Sequence, residues 1–134
     1  MRRKALILLA GVVLAAAGAL AQGLAPGGGP SYVGAVQPIF DRECVKCHGS
    51  KEKKAKLDLS AAESYKTLVN VPSGEVPATL RVKAGNPEQS YLWLKLDHRS
   101  EEGSGMPKGL FSARRLAQKD LDTVRSWIAA GAQP

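Results

Sequence analysis

Cys44-Val45-Lys46-Cys47-His48 is the stretch of this sequence whose residue types and spacing can do chemistry. Two thiols three residues apart on one helical turn point the same way and can add to the two vinyl groups of a single haem. His48, next in line, then lies under the iron as an axial ligand. Scattering two Cys and two His at random over the chain past its first 21 residues would give this order with a probability on the order of 3 in 10,000. The competing chemistries fail on counting. A structural zinc site takes four ligands, and beyond Cys44, Cys47 and His48 there is only His98 and no further Cys. A thioredoxin-type redox pair needs a βαβ setting that nothing in the sequence signals. A plain disulfide would leave the adjacent His without a reason.

The elements that position these side chains must come from a short chain. Its 134 residues leave room for one domain, which excludes a multi-domain enzyme, a repeat array, or a haem sensor with its own output domain. Two Cys allow at most one disulfide, so a disulfide-stapled scaffold is excluded too. Two Trp, three Tyr and two Phe beside 14 Gly and 8 Pro are a thin supply for a core. A large flat cofactor is expected to fill the middle, and the chain without it to be poorly folded.

The first residues read as a targeting segment. Arg2, Arg3 and Lys4 form a positive start, an apolar stretch runs from Ala5 to Ala21, and Ala19-Leu20-Ala21 supplies the small residues of a cleavage site. Residues 1–21 are therefore expected to be a signal peptide. The alternative is an uncleaved anchor, although a helix over that stretch reaches about 25 Å, short of a hydrocarbon core of roughly 30 Å. Removing the leader takes three of the 19 basic residues and lowers the charge from +7 to about +4. Residues 22–30, rich in Gly and Pro, read as a flexible linker, and 31–134 as the folded domain.

Helical signals outweigh strand signals in that domain, so the expected fold class is all-α. Tyr32, Val33, Val36, Ile39 and Phe40 have helical spacing after Ser31, and Pro38 suits a first turn. Ser60-Ala61-Ala62-Glu63 has the form of a capping box opening a short helix to about Leu68. Asn86, Pro87 and Glu88 predict the start of a helix running through Leu92, Trp93 and Leu96. Leu121, Val124 and Ile128 line one face of a last helix, with Trp127 beside them, Ala117 a poor cap and Gly131 placed to end it.

From these residues the chain resembles a monohaem class I cytochrome c, and is most similar to the short cytochrome c domains of planctomycetes and other bacteria. The stretches that carry the resemblance are Val36 to Phe40 running into Cys44–Gly49, Leu57-Asp58-Leu59, Ala84-Gly85-Asn86-Pro87, Gly105-Met106-Pro107 and Trp127 to Ala132. Two departures stand out: the segment from Val69 to Val82 is longer than usual, and Lys108 stands where a second Pro is common. The resemblance implies three to five short helices and loops wrapped around one haem c, covalently held by Cys44 and Cys47, with His48 and Met106 on the iron.

Elimination points to Met106 as well. With the leader gone it is the only thioether, and it sits in a Gly-rich polar loop, Gly103 to Pro107, rather than on an apolar helical stripe. His98 is the alternative sixth ligand, and is otherwise expected to be exposed at a helix end. With both axial positions filled, the expected function is that of a periplasmic one-electron carrier or electron-transfer subunit. The competing reading is a peroxidase-like haem enzyme or small-ligand binder with an open or displaceable sixth ligand. Lys46, Lys51, Lys53, Lys54 and Lys56 form either a solvated loop or a patch that steers an acidic redox partner. Partners are expected to be redox proteins, acidic or membrane-bound, with no nucleic acid, and with membrane contact only through an uncleaved leader. The chain itself is expected to be a monomer. Arg81, Lys83 and Arg99 are candidates to meet the haem's propionates. Trp127, Trp93, Tyr91 and Phe40 are expected to pack against the haem or one another, and Tyr65 and Phe111 to be half exposed.

Overall fold

Four short helices order the chain: α1 (Gln37–Glu43), α2 (Ser64–Leu68), α3 (Tyr91–Leu96) and α4 (Gln118–Ala129). The computed structural model describes residues 28–134; the signal peptide expected at 1–21 and most of the linker expected at 22–30 lie outside the described residues. Within them the only β pairing is isolated bridges, so the all-α expectation holds. No helix among the described residues is long and apolar enough to cross a membrane.

A single π-helical turn, Tyr32–Val36, precedes α1, with the Ser31 hydroxyl accepting from the Gly34 amide at 3.1 Å. Pro38 lies in the first turn of α1, directly after that π-helical turn. This segment buries Tyr32, Val36, Ile39 and Phe40, while Val33, 73% exposed, falls outside the stripe. Gln37 makes a buried tie that apolar periodicity gives no sign of. Its amide donates to the Leu59 carbonyl at 3.0 Å and its oxygen accepts from the Ser64 hydroxyl at 2.6 Å, joining α1 to the start of α2.

The capping box at Ser60 does not form. The Asp58 carboxylate takes both the Ser60 hydroxyl, at 2.6 Å, and the Ser60 amide, at 3.0 Å, the donor that the Glu63 carboxylate would have needed, and the Glu63 amide donates to the Ser60 carbonyl at 2.9 Å. Those bonds hold the Asp58 carboxyl below its usual range, with Lys53 adding to the effect. Helix α2 consequently starts only at Ser64, though it ends at Leu68 as expected.

The helix expected from Asn86 is interrupted. Asn86 does cap it, accepting from the Gln89 amide at 3.1 Å, but only a 3₁₀ turn, Pro87–Gln89, follows before Ser90 turns extended. The break has a cause in the partners of the next amides. Tyr91 and Leu92 donate to the carbonyls of Leu80 and Arg81, both at 2.9 Å, instead of to the preceding turn, so α3 starts afresh docked on residues 80–82.

Helix α4 follows the expected pattern, burying Leu121, Val124, Trp127 and Ile128. Ala117 makes no side-chain cap, and Gly131 leaves the helix at φ +101°, a conformation costly for any residue with a Cβ. Its buried face packs on the π-helical turn and on α3. The Trp127 ring is 5.0 Å from that of Tyr32, which is 6.3 Å from Phe40. Three of the seven aromatic residues are thus spent joining the first and last segments.

Candidate haem site

The attachment motif forms a single turn continuing from α1. The Cys44 amide donates to Phe40, and the Cys47 and His48 amides both donate to the Cys44 carbonyl, at 3.0 and 2.9 Å. The two thiols are free, not joined to each other. Burial pushes the Cys44 thiol up to about 12, with the Glu43 carboxylate adding to it.

The lysine-rich loop that follows folds back on this turn through its backbone. The Lys54 amide donates to Cys47, the Leu59 amide to His48, and His48 Nδ1 lies 2.9 Å from the Lys54 carbonyl oxygen. A carbonyl can only accept, so Nδ1 carries the proton and Nε2 keeps its lone pair free for a metal. Ala55 and Lys56 adopt positive φ (55° and 54°) to make this return. Of the lysines, Lys53 pairs with Asp58 at 3.0 Å and Lys54 with Glu52 at 3.1 Å; Lys46, Lys51 and Lys56 are exposed.

Cys44, His48 and Met106 line one cavity of about 100 Å³ that is open on one side. Its apolar wall is Leu57, Leu59, Leu68, Leu92 and Leu96; its polar groups are Ser73, Glu75, Arg81, Tyr91 and Lys95. Cys47 is half-buried and is not in this wall, nor is His98. The long segment between Val69 and Val82 closes on itself, with Asn70 and Ser73 amides donating to Val82 and Thr79 and Arg81 donating to Val71. It thereby carries Ser73, Gly74 and Glu75 into the cavity wall as a strap. Tyr91 is the aromatic that reaches the cavity. Phe40, Trp93 and Trp127 pack elsewhere, Trp93 beneath Arg125 at 5.8 Å.

Lys95 is a buried cation that nothing in the sequence singles out. It is 6% exposed, and its ammonium pairs with Glu75 at 2.6 Å and donates to the carbonyls of Glu102 at 2.6 Å and Ser104 at 3.3 Å. Burial opposes its charge, but the Glu75 carboxylate and Tyr91 hydroxyl outweigh it, leaving the ammonium raised. Lys95 and, after it, Tyr91 hold the Glu75 carboxyl below its usual range. The Met106 amide donates to the Lys95 carbonyl at 2.9 Å, so one residue ties strap and Met loop to α3. His98 is half-buried rather than exposed, because its ring lies against Gly105. Phe111 is 96% exposed rather than half exposed, at the tip of a turn beyond the Met loop where Leu110 beside it is exposed as well.

These residues fit a haem. Free thiol, imidazole with its Nε2 unengaged, and thioether face one leucine-walled space. Arg81 adds a guanidinium that donates to the Thr67 carbonyl at 2.7 Å and has no carboxylate partner among the described residues. Burial lowers its affinity for its proton, as expected of a cation short of a counterion. Lys83, which hydrogen-bonds the neutral Gln89 amide, and Arg99, which pairs with Glu88 at 2.7 Å and with Asp97, are not in the cavity wall, whereas Arg81 is. Among the described residues no three His, Cys, Asp or Glu cluster as they would around a zinc ion.

Residues 44–109 match the family described as Planctomycete cytochrome C. No curated protein and no solved structure matches the chain. The match starts at the first attachment Cys and takes in the strap, α3 and Met106, leaving α1 and α4 to the sequence resemblance alone. A cytochrome c domain implies an electron-transfer protein carrying covalent haem c with its iron. The resemblance legible in the sequence therefore holds, and residues 44–109 are what the chain shares with the Planctomycete cytochrome C family.

Proposed function

We propose that the chain is an exported, periplasmic one-electron carrier, or the electron-transfer subunit of a complex, whose haem c is held by Cys44 and Cys47 and ligated by His48 and Met106. The observation that carries this reading is the convergence of Cys44, His48 and Met106 on one leucine-walled cavity. When bound, haem c supplies a ferric/ferrous couple that takes up and releases one electron. Each Cys thiol would add across a vinyl group, sulfur bonding one carbon and hydrogen passing to the other. The Lys54 carbonyl fixes the His48 tautomer and strengthens its Nε2 as a donor. Met106 would close the remaining position, leaving substrate no access to iron and limiting the chemistry to outer-sphere transfer. The leucines exclude water, and Arg81 would neutralise a propionate carboxylate at the polar side.

Oxidised and reduced spectra with a mass determination test this reading. The oxidised protein is expected to show a weak sulfur-to-iron charge-transfer band that Met106→Ala abolishes, with the mass of one haem added. A high-spin resting iron that binds peroxide or cyanide quickly would instead establish the enzyme or ligand-binding alternative.

Lys46, Lys51 and Lys56, unpaired by neighbouring acids, support an acidic redox partner meeting the protein near the attachment turn. Replacing the three by Gln is expected to slow bimolecular transfer to an acidic acceptor several-fold at low salt and to flatten its salt dependence. A steep salt response that survives the substitutions would place the contact elsewhere.

A further inference from the structure

The backbone of Met106 is gripped on both sides by residues of and just beyond α3. Its amide donates to the Lys95 carbonyl at 2.9 Å, and its carbonyl oxygen lies 3.2 Å from His98 Nε2. That oxygen can only accept, so Nε2 carries the proton and donates, and the same nitrogen is then not a free ligand. His98 reaches this place from φ +59°, a left-handed conformation in which His is enriched among residues other than Gly. Its ring lies so close to the loop that a Cβ on Gly105 would come within 2.5 Å of Cδ2 and 2.6 Å of Cγ. Gly is therefore required at 105 for the ring to reach the next carbonyl. Holding N–H and C=O of one residue fixes the peptide planes on both sides of its Cα, and so the direction in which its side chain leaves the loop.

We propose that His98 is a positioning residue for Met106: it sets the Met loop so that the thioether stays aimed into the cavity, and does not itself bind iron. This rests on Met106 being the sixth ligand. Met106→Ala in the same series tests that premise separately, since only its failure to remove the charge-transfer band would overturn the ligand assignment.

The experiment uses the exported holoprotein and compares His98→Leu with His98→Gln. Both variants bear the same left-handed backbone cost, and only Gln offers an amide donor close to where Nε2 lies. With Leu the charge-transfer band should weaken and cyanide should displace the sixth ligand about tenfold faster, the scale of one lost hydrogen bond; with Gln both should remain near wild type. Leu and Gln variants that behave alike, whether both normal or both impaired, overturn the proposal. Gly105→Ala keeps the imidazole but displaces its ring, and is expected to speed cyanide binding in the same direction. An unchanged rate there also overturns it.

Discussion

The double variant Cys44→Ala, Cys47→Ala is expected to emerge without covalent haem and without a cooperative thermal transition above ambient temperature. The reason lies in what the cavity wall would face. Leu57, Leu59, Leu68, Leu92 and Leu96 all line a cavity of about 100 Å³. If that cavity stayed dry and empty, a cost of ~24 cal/mol per Å³ would amount to about 2.4 kcal/mol. If water filled it, several leucines at roughly 1.5–3 kcal/mol each would lose much of their burial. Either loss takes a large part of the roughly 5–15 kcal/mol that holds a small domain together. Circular dichroism on heating, beside the mass, checks this. A haem-free variant that melts as sharply and as high as the wild type would show that the protein core, not the cofactor, carries the fold.

Lys95→Met is the second change with a large expected effect, a loss of about 2–3 kcal/mol in denaturant unfolding of the holoprotein. Removing one member of a buried ion pair typically costs 3–5 kcal/mol because its partner is left uncompensated. Glu75 keeps 40% of its side chain in water, which moves the estimate below that range. The carbonyls of Glu102 and Ser104 lose their donor as well, so the Met loop should loosen with the strap. Glu75→Gln keeps a hydrogen-bond acceptor for Lys95 and should cost less than half as much. Equal losses from the two variants would mean that the charge pair, not the carbonyl ties, carries the stabilisation.

The sequence makes some of this architecture plain and hides the rest for definable reasons. Cys44, Cys47 and His48 are legible because their chemistry demands a fixed local spacing. The α4 face and the Asn86–Pro87 start are legible because helix periodicity and capping are also local. Ser60 misleads because two acceptors compete and the nearer charge wins, a balance that spacing alone does not reveal. The broken helix at Ser90 is decided by the carbonyls of Leu80 and Arg81, eleven residues from the partners they supply. Lys95 reads as a surface residue by type; only the fold brings Glu75 and two loop carbonyls within reach to make its burial affordable. The strap from Val69 to Val82 shows in the sequence as an excess of length, and its role as a wall comes from where its ends meet. His98 was legible as a residue of interest beside the Met loop, but the part it plays depends on the distance between its ring and one carbonyl.

The state of Cys44 bears on the order in which the molecule is assembled. Thiolates are the reactive form of cysteine, and burial in the closed fold pushes this thiol up to about 12, far from neutral pH. The finished fold thus disfavours the reactive form of the very group that must react. Its walls come from the strap, α3 and the Met loop, all later in the chain than the attachment turn. An emerging chain presents Cys44 and Cys47 before any of those segments exists to cover them. Attachment to the open chain, with closure of the domain after it, is therefore the expected order of assembly.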